Sequence, residues 1–558
     1  MEQLKAIKWS AIPKAVWLAG GFLLSEAALM VLVYYWRVFY YLDARSFPNA
    51  LLSGCVLGFG AVVYGLCLAL ARVKNLPVKA AIAAFAVGLI FVFANPPLQV
   101  PDEQVHFLRA YAISEGHFDF DQSRAYPETI DLFIASFPGA WVNANTSQGM
   151  RENDGGEEEA YSSAGYALKQ YGEDGSVLGV ADAFAAYFAG DTTDLSAVEE
   201  PLSFTIFPYL PAALGMAIAR LFGAGALGCF YAGRIANLAC YALLCYAALK
   251  NCKRFGAVFL ILMFLPMSLY MAASLNYDAL LLGFYWYALS FLCKDWAPDK
   301  TLSKRDLLCF FAVFVGMNII KPWISLLFLA VPFLLPATAW VGQKCKKWQY
   351  ALGCMGGALG VTGFVTWYGN AFRSNYAPVE RMLGSTVNGG EQLVFVLSNP
   401  LRYIAVMVGT LYENDFFVGQ LGLFGSLDLP ISLINMVSPL MLLLGAVLAA
   451  NHKNTLRPLP AAGLGLLSVC YIGGVLTALY LTYTPVGMVR IIGLQARYFL
   501  PVFAMLGILL AAGLGKLLRP TGSEETAHAV AFWSAAAFGL VGGVLLFQHY
   551  FIGPVYTI

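Results

Sequence analysis

VKAAIAAFAVGLIFVFANPPLQVPDEQVHFLRAYAISEG, running from Val78 to Gly116, is the stretch on which the fold turns. Its first part, Val78–Ala94, is almost wholly apolar and reads as a helix crossing most of a hydrocarbon core about 30 Å thick. At Asn95 the character changes, and Pro101-Asp102-Glu103 stands at the mouth of the one long polar stretch in the chain, residues 95–200. A carboxylate at a bilayer surface is either idle solvent-facing charge or the working end of an enzyme. Which of these Asp102 is decides most of the functional reading.

Outward from that stretch the chain keeps the same character. Of 558 residues, 59% are hydrophobic and 12% charged, about half the charged share of a soluble domain, and mean hydropathy is +0.67. Apolar runs recur at roughly 12–36, 49–71, 78–95, 228–249, 256–273, 279–293, 306–320, 322–337, 349–368, 429–450, 459–482, 498–516 and 529–549. The fold class is an all-α polytopic membrane protein of about thirteen crossings with a large extracytoplasmic loop. Three regions follow: N-terminal membrane helices over 1–94, an acidic loop with juxtamembrane helices over 95–227, and a membrane helical domain over 228–558. The last region has outer loops at 369–428 and 484–497. The first apolar run lacks a small-residue cleavage site and is expected to stay as an anchor.

Positive charge orients these runs. Lys5, Lys8 and Lys14; Arg72 and Lys74; Lys250, Lys253 and Arg254; and Lys294, Lys300, Lys304 and Arg305 sit in short linkers. So do Lys344, Lys346 and Lys347; His452, Lys453 and Arg457; and Lys516 and Arg519. With thirteen crossings every group lands in the cytoplasm, leaving the acidic loop and the C-terminus outside. That count requires Phe207–Leu221 to lie in the outer interface. It also splits 306–336 into two short helices meeting at Lys321-Pro322, because one long helix would bury the lysine at mid-membrane.

Net charge is +1, but residues 96–200 carry 19 acids against 4 bases, which excludes nucleic acid as a partner of the loop. The eleven cysteines mostly lie in apolar runs and the acidic loop has none, a pattern of small buried hydrophobes. No internal repeat is visible, and Gly155–Glu159 reads as a solvated loop tip.

Pro101 suits a first helical turn. Asp102, His106 and Arg109 then follow at i, i+4 and i+7 on one helix face, with an apolar stripe of Val105, Leu108 and Ala112 beside them. Capping and a surface ion pair would explain such a face equally well. Four more polar clusters fall on the same outer side: Ser274–Asp278, Lys321, Trp367–Asn370 with Arg373 and the segment beyond it, and Arg490–Tyr498. Taken together, acids on the first outer loop and cations on later ones suit phosphate chemistry. Arginine and lysine hold the phosphate, and a carboxylate accepts a proton from a hydroxyl.

The motifs NPPLQVPDEQVHFLRAYAISEG (Asn95–Gly116), MSLYMAASLNYDAL (Met267–Leu280), Lys321-Pro322 and IIGLQARYFLP (Ile491–Pro501) carry a family likeness. Together they resemble the signature of a bacterial membrane-protein family of unknown function, which in turn is similar to the C-type glycosyltransferases (GT-C). The resemblance implies transfer of a sugar from a polyprenyl-phosphate or polyprenyl-diphosphate carrier to a glycan or lipid-linked acceptor. The expected place is the outer face of the bacterial cytoplasmic membrane, with inversion at the anomeric carbon. Carried over, Asp102 is the general base, and Glu103 orients the acceptor or a divalent cation. His106 and Arg109 position the acceptor or tune Asp102. Asp278 is a second acidic position, while Lys321 and Arg497, with Arg490 and Gln495, hold the carrier phosphate. A polysaccharide polymerase or ligase, and a transporter or flippase of lipid-linked glycans, stay open as alternatives. Membrane lipids are partners in every case.

Overall fold

A chain with no water to bond its backbone must satisfy each amide internally, and these apolar runs do so as helices. The structure, a computed structural model, describes residues 13–35, 50–118, 126–137, 149–152, 158–161, 180–190, 205–296, 300–371, 381–382, 385–425, 427, 429–518 and 523–552. The helices run α1 (Lys14–Tyr35), α2 (Ala50–Arg72), α3 (Leu76–Ala94), α4 (Glu103–Ser114), α5 (Glu128–Ser136), α6 (Val180–Ala189) and α7 (Leu210–Leu221). Next come α8 (Ala226–Asn251), α9 (Gly256–Phe264), α10 (Pro266–Ala272), α11 (Asp278–Ser290), α12 (Lys304–Ile320), α13 (Val331–Leu334) and α14 (Lys347–Ala371). The order closes with α15 (Gly389–Ser398), α16 (Pro400–Glu413), α17 (Ser432–Ala449), α18 (Pro458–Thr482), α19 (Leu500–Leu518) and α20 (Glu524–Phe547). Among the described residues, three short antiparallel strand pairs lie in the connections.

Among the described residues, eight helical segments are long and apolar enough to cross a membrane: α1, α2, α3, α8, α17, α18, α19 with the turn before it, and α20. The chain is thus an all-α polytopic membrane protein. Helix α8 stands at the centre, packed on α3, α7 and α11, while α20 lies against α3 and α9. Every residue of α9 and of α10 is buried, so this pair is walled by protein rather than lipid. Small residues allow the approach: a Cβ on Gly539 of α20 would stand 3.0 Å from the Phe264 carbonyl, where Pro266 divides α9 from α10.

The basic loops gather at one end of the bundle. Lys74, Lys250, Lys253 and Glu524 line a single cleft there. The Arg254 guanidinium donates to the Thr455 carbonyl, and its amide to that of Cys293. Asn451 packs on Gly515, and Leu302 bonds Ala339. At this end Lys294 pairs with Asp306 at 2.6 Å, and Asp306 completes a capping box with Ser303 at the start of α12.

Two expectations follow the sequence closely. The segment before α8 folds as a short turn, Phe207–Tyr209, and α7. Twelve residues rise only about 18 Å, and Leu210, Leu214, Ile218 and Leu221 form an exposed apolar stripe along α7, the face an interfacial helix presents. Between Asp306 and Pro336 the chain breaks at Lys321-Pro322, where Trp323 takes a left-handed φ of 69°. Within the stretch 369–428, expected to lie at the outer face, the described residues contain α15 and α16, bent by 108° at Asn399-Pro400. Its amphipathic helix α16 exposes Leu401, Ile404, Val408 and Tyr412 while burying Tyr403, Val406 and Thr410. The loop tip Gly155–Glu159, Arg373 and Asp428, with Lys5, Lys8 and Arg519, lie at least partly outside the described residues.

Candidate active site

The site begins where α3 ends. Asn95, Pro96 and Pro97 stop the helix, since proline lacks the amide that would continue it, and the chain crosses the top of the bundle to α4. From Ala94 to Glu103 every residue is buried except Asp102. Asp102 holds a left-handed backbone, φ 62°, one turn after Leu98 at φ 60°. Aspartate tolerates this conformation better than most residues, and two such positions in five residues mark a strained connection. Helix α4 starts at Glu103, so Pro101 lies outside the first turn rather than within it. Asp102 makes no capping bond to that helix, which leaves its carboxylate for other use.

A buried guanidinium holds this connection in place. Arg234, on α8, gives Nε to Glu103 Oε1 at 2.9 Å and Nη2 to Glu103 Oε2 at 2.6 Å. Its remaining N–H groups reach the carbonyls of Val92 (2.9 Å), Asn95 (2.7 Å) and Pro96 (3.0 Å), the orphan acceptors at the end of α3. The amide of Leu275 completes the Glu103 shell at 3.1 Å. All five donors of the fork are thereby used, and Phe230 lies beneath it, 4.3 Å from ring centroid to Cζ. The clasp ties α3, α4, α8 and the 274–276 loop together, immediately beside Asp102. Because both Glu103 oxygens are taken, Asp102 and Glu103 do not form a pair fit to hold a divalent cation. Among the described residues, no group of three or more His, Cys, Asp or Glu side chains is suited to bind a metal either.

The second half of the site is assembled from three distant parts of the chain. Asn237 donates to the Ser274 carbonyl at 2.9 Å, and Asn276 Oδ1 accepts the Asp278 amide at 2.9 Å, which sets the start of α11. Buried Asp278 then meets Lys321 Nζ at 3.2 Å and Arg497 Nε at 3.1 Å. Lys321 caps the end of α12 at the proline break, and Arg497 sits in the turn entering α19. Tyr498 presents its ring face to both cations, 4.4 Å from Lys321 Nζ and 5.3 Å from Arg497 Cζ. The Lys321 side chain is 25% exposed against 6% for Arg497, so the ammonium is the cation a ligand meets first. Below them opens a cavity of about 280 Å³ walled by Leu281, Leu282, Ile324, Val475 and Leu479. Two cations and one carboxylate thus stand at the mouth of a chamber whose walls are mostly apolar.

Asp102 belongs to the same field. Crowding by protein pushes its carboxyl above the ordinary carboxylate range; Arg497 opposes that shift and Asp278 adds to it. His106, four residues on, is buried, and burial pushes its imidazole down to about 3, with Asp278 opposing and Arg497 and Lys321 adding. It is therefore neutral near pH 7. Its Nδ1 lies 2.7 Å from the Tyr209 hydroxyl, and its ring packs edge-on against Tyr277 at 5.1 Å. Tyr209 is itself kept protonated by burial, so two uncharged groups share this hydrogen bond. Arg109 is fully buried on the same helix, against Tyr209 in electrostatic terms.

The structure thus brings Asp102, Glu103, His106, Arg109, Asp278, Lys321 and Arg497 to one end of the bundle. Gln495 lines a narrow recess with Pro101, Met271 and Arg497, and its Oε1 is buried without a partner. Arg490 is exposed and joins none of these contacts. Sequence reasoning missed Arg234 and Tyr209. Arg234 carried a usable signal, a charge in the middle of an apolar run, which in a membrane requires a buried partner. Tyr209 carried none.

Residues 85–506 match the family model described as a predicted membrane protein, DUF2142. The chain belongs to this family. Each residue of the cluster falls inside the matched segment, whereas α1 and α2 precede it. No curated protein and no solved structure matches the chain.

Proposed function

We propose that the protein is a membrane glycosyltransferase that moves a sugar from a polyprenyl-phosphate or polyprenyl-diphosphate carrier to a hydroxyl of an extracytoplasmic acceptor, such as a cell-surface glycan. One observation carries this reading. Lys321 and Arg497 meet over an apolar-walled cavity at the end of the bundle where Asp102 emerges from an otherwise buried stretch.

In the proposed reaction Asp102 takes the proton of the acceptor hydroxyl, and that oxygen attacks the anomeric carbon from the face opposite the carrier. The bond from the anomeric carbon to the carrier oxygen breaks and its electron pair stays on the phosphate. Lys321 and Arg497 stabilise the charge that develops there, inverting the sugar and leaving Asp102 protonated. The raised pKa of Asp102 supports this role, since a base nearer neutrality gains more from taking a proton. Glu103 acts through Arg234 as a positioning residue, and neutral His106 with Tyr209 offers the acceptor hydrogen bonding without charge. Gln495 lines the approach to Arg497; Arg490 is left out of the assignment.

The membrane arrangement that goes with this reading has thirteen crossings. To the eight long apolar segments it adds α14, the kinked pair α9–α10, α11, α12 and the segment Ser325–Leu334. Of these, α9, α10 and α11 are short but buried almost throughout against neighbouring helices, whereas α14 has 25 residues and is long enough by itself. The gathering of the basic loops at one end supports a cytoplasmic N-terminus and an outer C-terminus in a bacterial cytoplasmic membrane.

The test is direct. Mass spectrometry of the lipid-linked saccharides that accumulate in a deletion strain identifies the donor, and Asp102→Asn is assayed with it in detergent. Loss of transfer by a folded variant is expected. Wild-type turnover in Asp102→Asn removes the proposed base, and a deletion strain with no accumulated saccharide removes the donor class.

A further inference from the structure

At the basic end of the bundle, far from the proposed reaction, the N-terminus of α3, the C-terminus of α8 and the first turns of α20 enclose a cleft of about 690 Å³. Four ammonium groups line it: Lys74, Lys79, Lys250 and Lys253. Glu524 and Glu525 line it too, but the ion pairs among the described residues lie elsewhere, so these lysines are not neutralised by contact. Four cations against two carboxylates leave a surplus of two positive charges (4 − 2). Lys79 Nζ lies 5.6 Å from the Phe532 ring centroid and 6.0 Å from that of Trp533, so one wall is a cation laid on an aromatic floor. Leu76 and Leu249 add apolar side chains to the same lining.

We propose that this cleft binds a phosphoryl group and that its occupant is the headgroup of an anionic phospholipid. Lysine binds phosphate as a point charge and needs no fork geometry. Basic recesses between helices on the cytoplasmic side of membrane proteins are suited to acidic headgroups. The half-open shape admits a headgroup from the bilayer, with phosphate on the lysines and the glycerol region on Trp533. A soluble phosphate compound would satisfy the same lysines without using the aromatic floor.

The experiment uses the full chain in nanodiscs of phosphatidylcholine, with or without phosphatidylglycerol, and reads both thermal unfolding and the lipid retained on native mass spectrometry. Phosphatidylglycerol is expected to raise the unfolding midpoint and to remain bound. Lys79→Gln with Lys253→Gln should weaken that retention about 25-fold, about fivefold for each ammonium removed. Lys344→Gln with Lys346→Gln, at the same end but off the cleft, should leave it unchanged and so controls for general surface attraction. Lys79→Gln alone leaves the loop charges intact and should still show the fivefold loss if the double variant inserts poorly. A midpoint raised by inorganic phosphate in phosphatidylcholine discs, and lost in the variants, keeps the phosphoryl site but overturns the lipid as occupant. No response to either, or equal losses in the control pair, overturns the site.

Discussion

Replacing Arg234 by methionine tests the clasp on which the geometry around Asp102 rests. The substitution fills similar space but removes all five donated hydrogen bonds. Glu103, with a side chain at 0% exposure, would keep only the Leu275 amide. Breaking a buried ion pair from one side costs about 3–5 kcal/mol, because the remaining charge is stranded. The carbonyls of Val92, Asn95 and Pro96 lose their donor at roughly 1 kcal/mol each. The sum, about 6–8 kcal/mol, matches the whole net stability of many proteins. The second variant, Arg234→Met with Glu103→Met, removes the stranded charge and should cost only the three carbonyls and the Leu275 amide, about 4 kcal/mol at roughly 1 kcal/mol each. Unfolding in mixed micelles, followed by tryptophan fluorescence, reads both. The reasoning fails if Arg234→Met lies within about 0.5 kcal/mol of wild type, or if the double variant is as unstable as the two single costs added.

Removing Arg497 takes away the charge that lowers Asp102, so Arg497→Gln should move the acidic limb of the proposed transfer's pH–rate profile to higher pH; an unmoved limb would separate the two groups. In the same variant the apparent donor affinity should fall about 10–100-fold, as expected for one charge-assisted hydrogen bond to phosphate, measured as KM for the lipid-linked sugar. His106 is held near pKa 3 when folded and returns toward 6.5 when unfolded, so the unfolded chain binds the extra proton first. Its contribution to stability is therefore complete above about pH 6.5 and is lost as pH falls toward 3; His106→Gln should flatten that part of the stability curve.

Much of this was legible in the residues because membranes impose coarse rules. Apolar length, the basic linkers and the break at Lys321-Pro322 follow from the energetic cost of bare charge and open backbone in lipid; the folded chain shows the last two, while among the described residues eight of the thirteen expected crossings are long and apolar enough by themselves. Of the acids and cations expected on the outer linkers, Asp278, Lys321 and Arg497 meet directly, whereas Arg490 stays exposed and apart. What escaped was pairing across distance. Nothing local announces that Arg234 will bond Glu103, 131 residues earlier. That pair also explains why α4 begins two residues late, with Asp102 turned out through a left-handed backbone instead of seated in a helical turn. Similarly, α15 and α16 were hidden because their apolar faces alternate with polar residues around Asn399-Pro400, a pattern short enough to pass for loop.

Asp278 already holds both Lys321 and Arg497 before any substrate arrives. In a reaction of the proposed kind, an incoming phosphate must compete with this resident carboxylate for the same two cations. The spent carrier can then be displaced by re-formation of the original contacts, without waiting for outside ions. A clamp with its own competitor holds less tightly but lets go sooner, a compromise that favours turnover over storage.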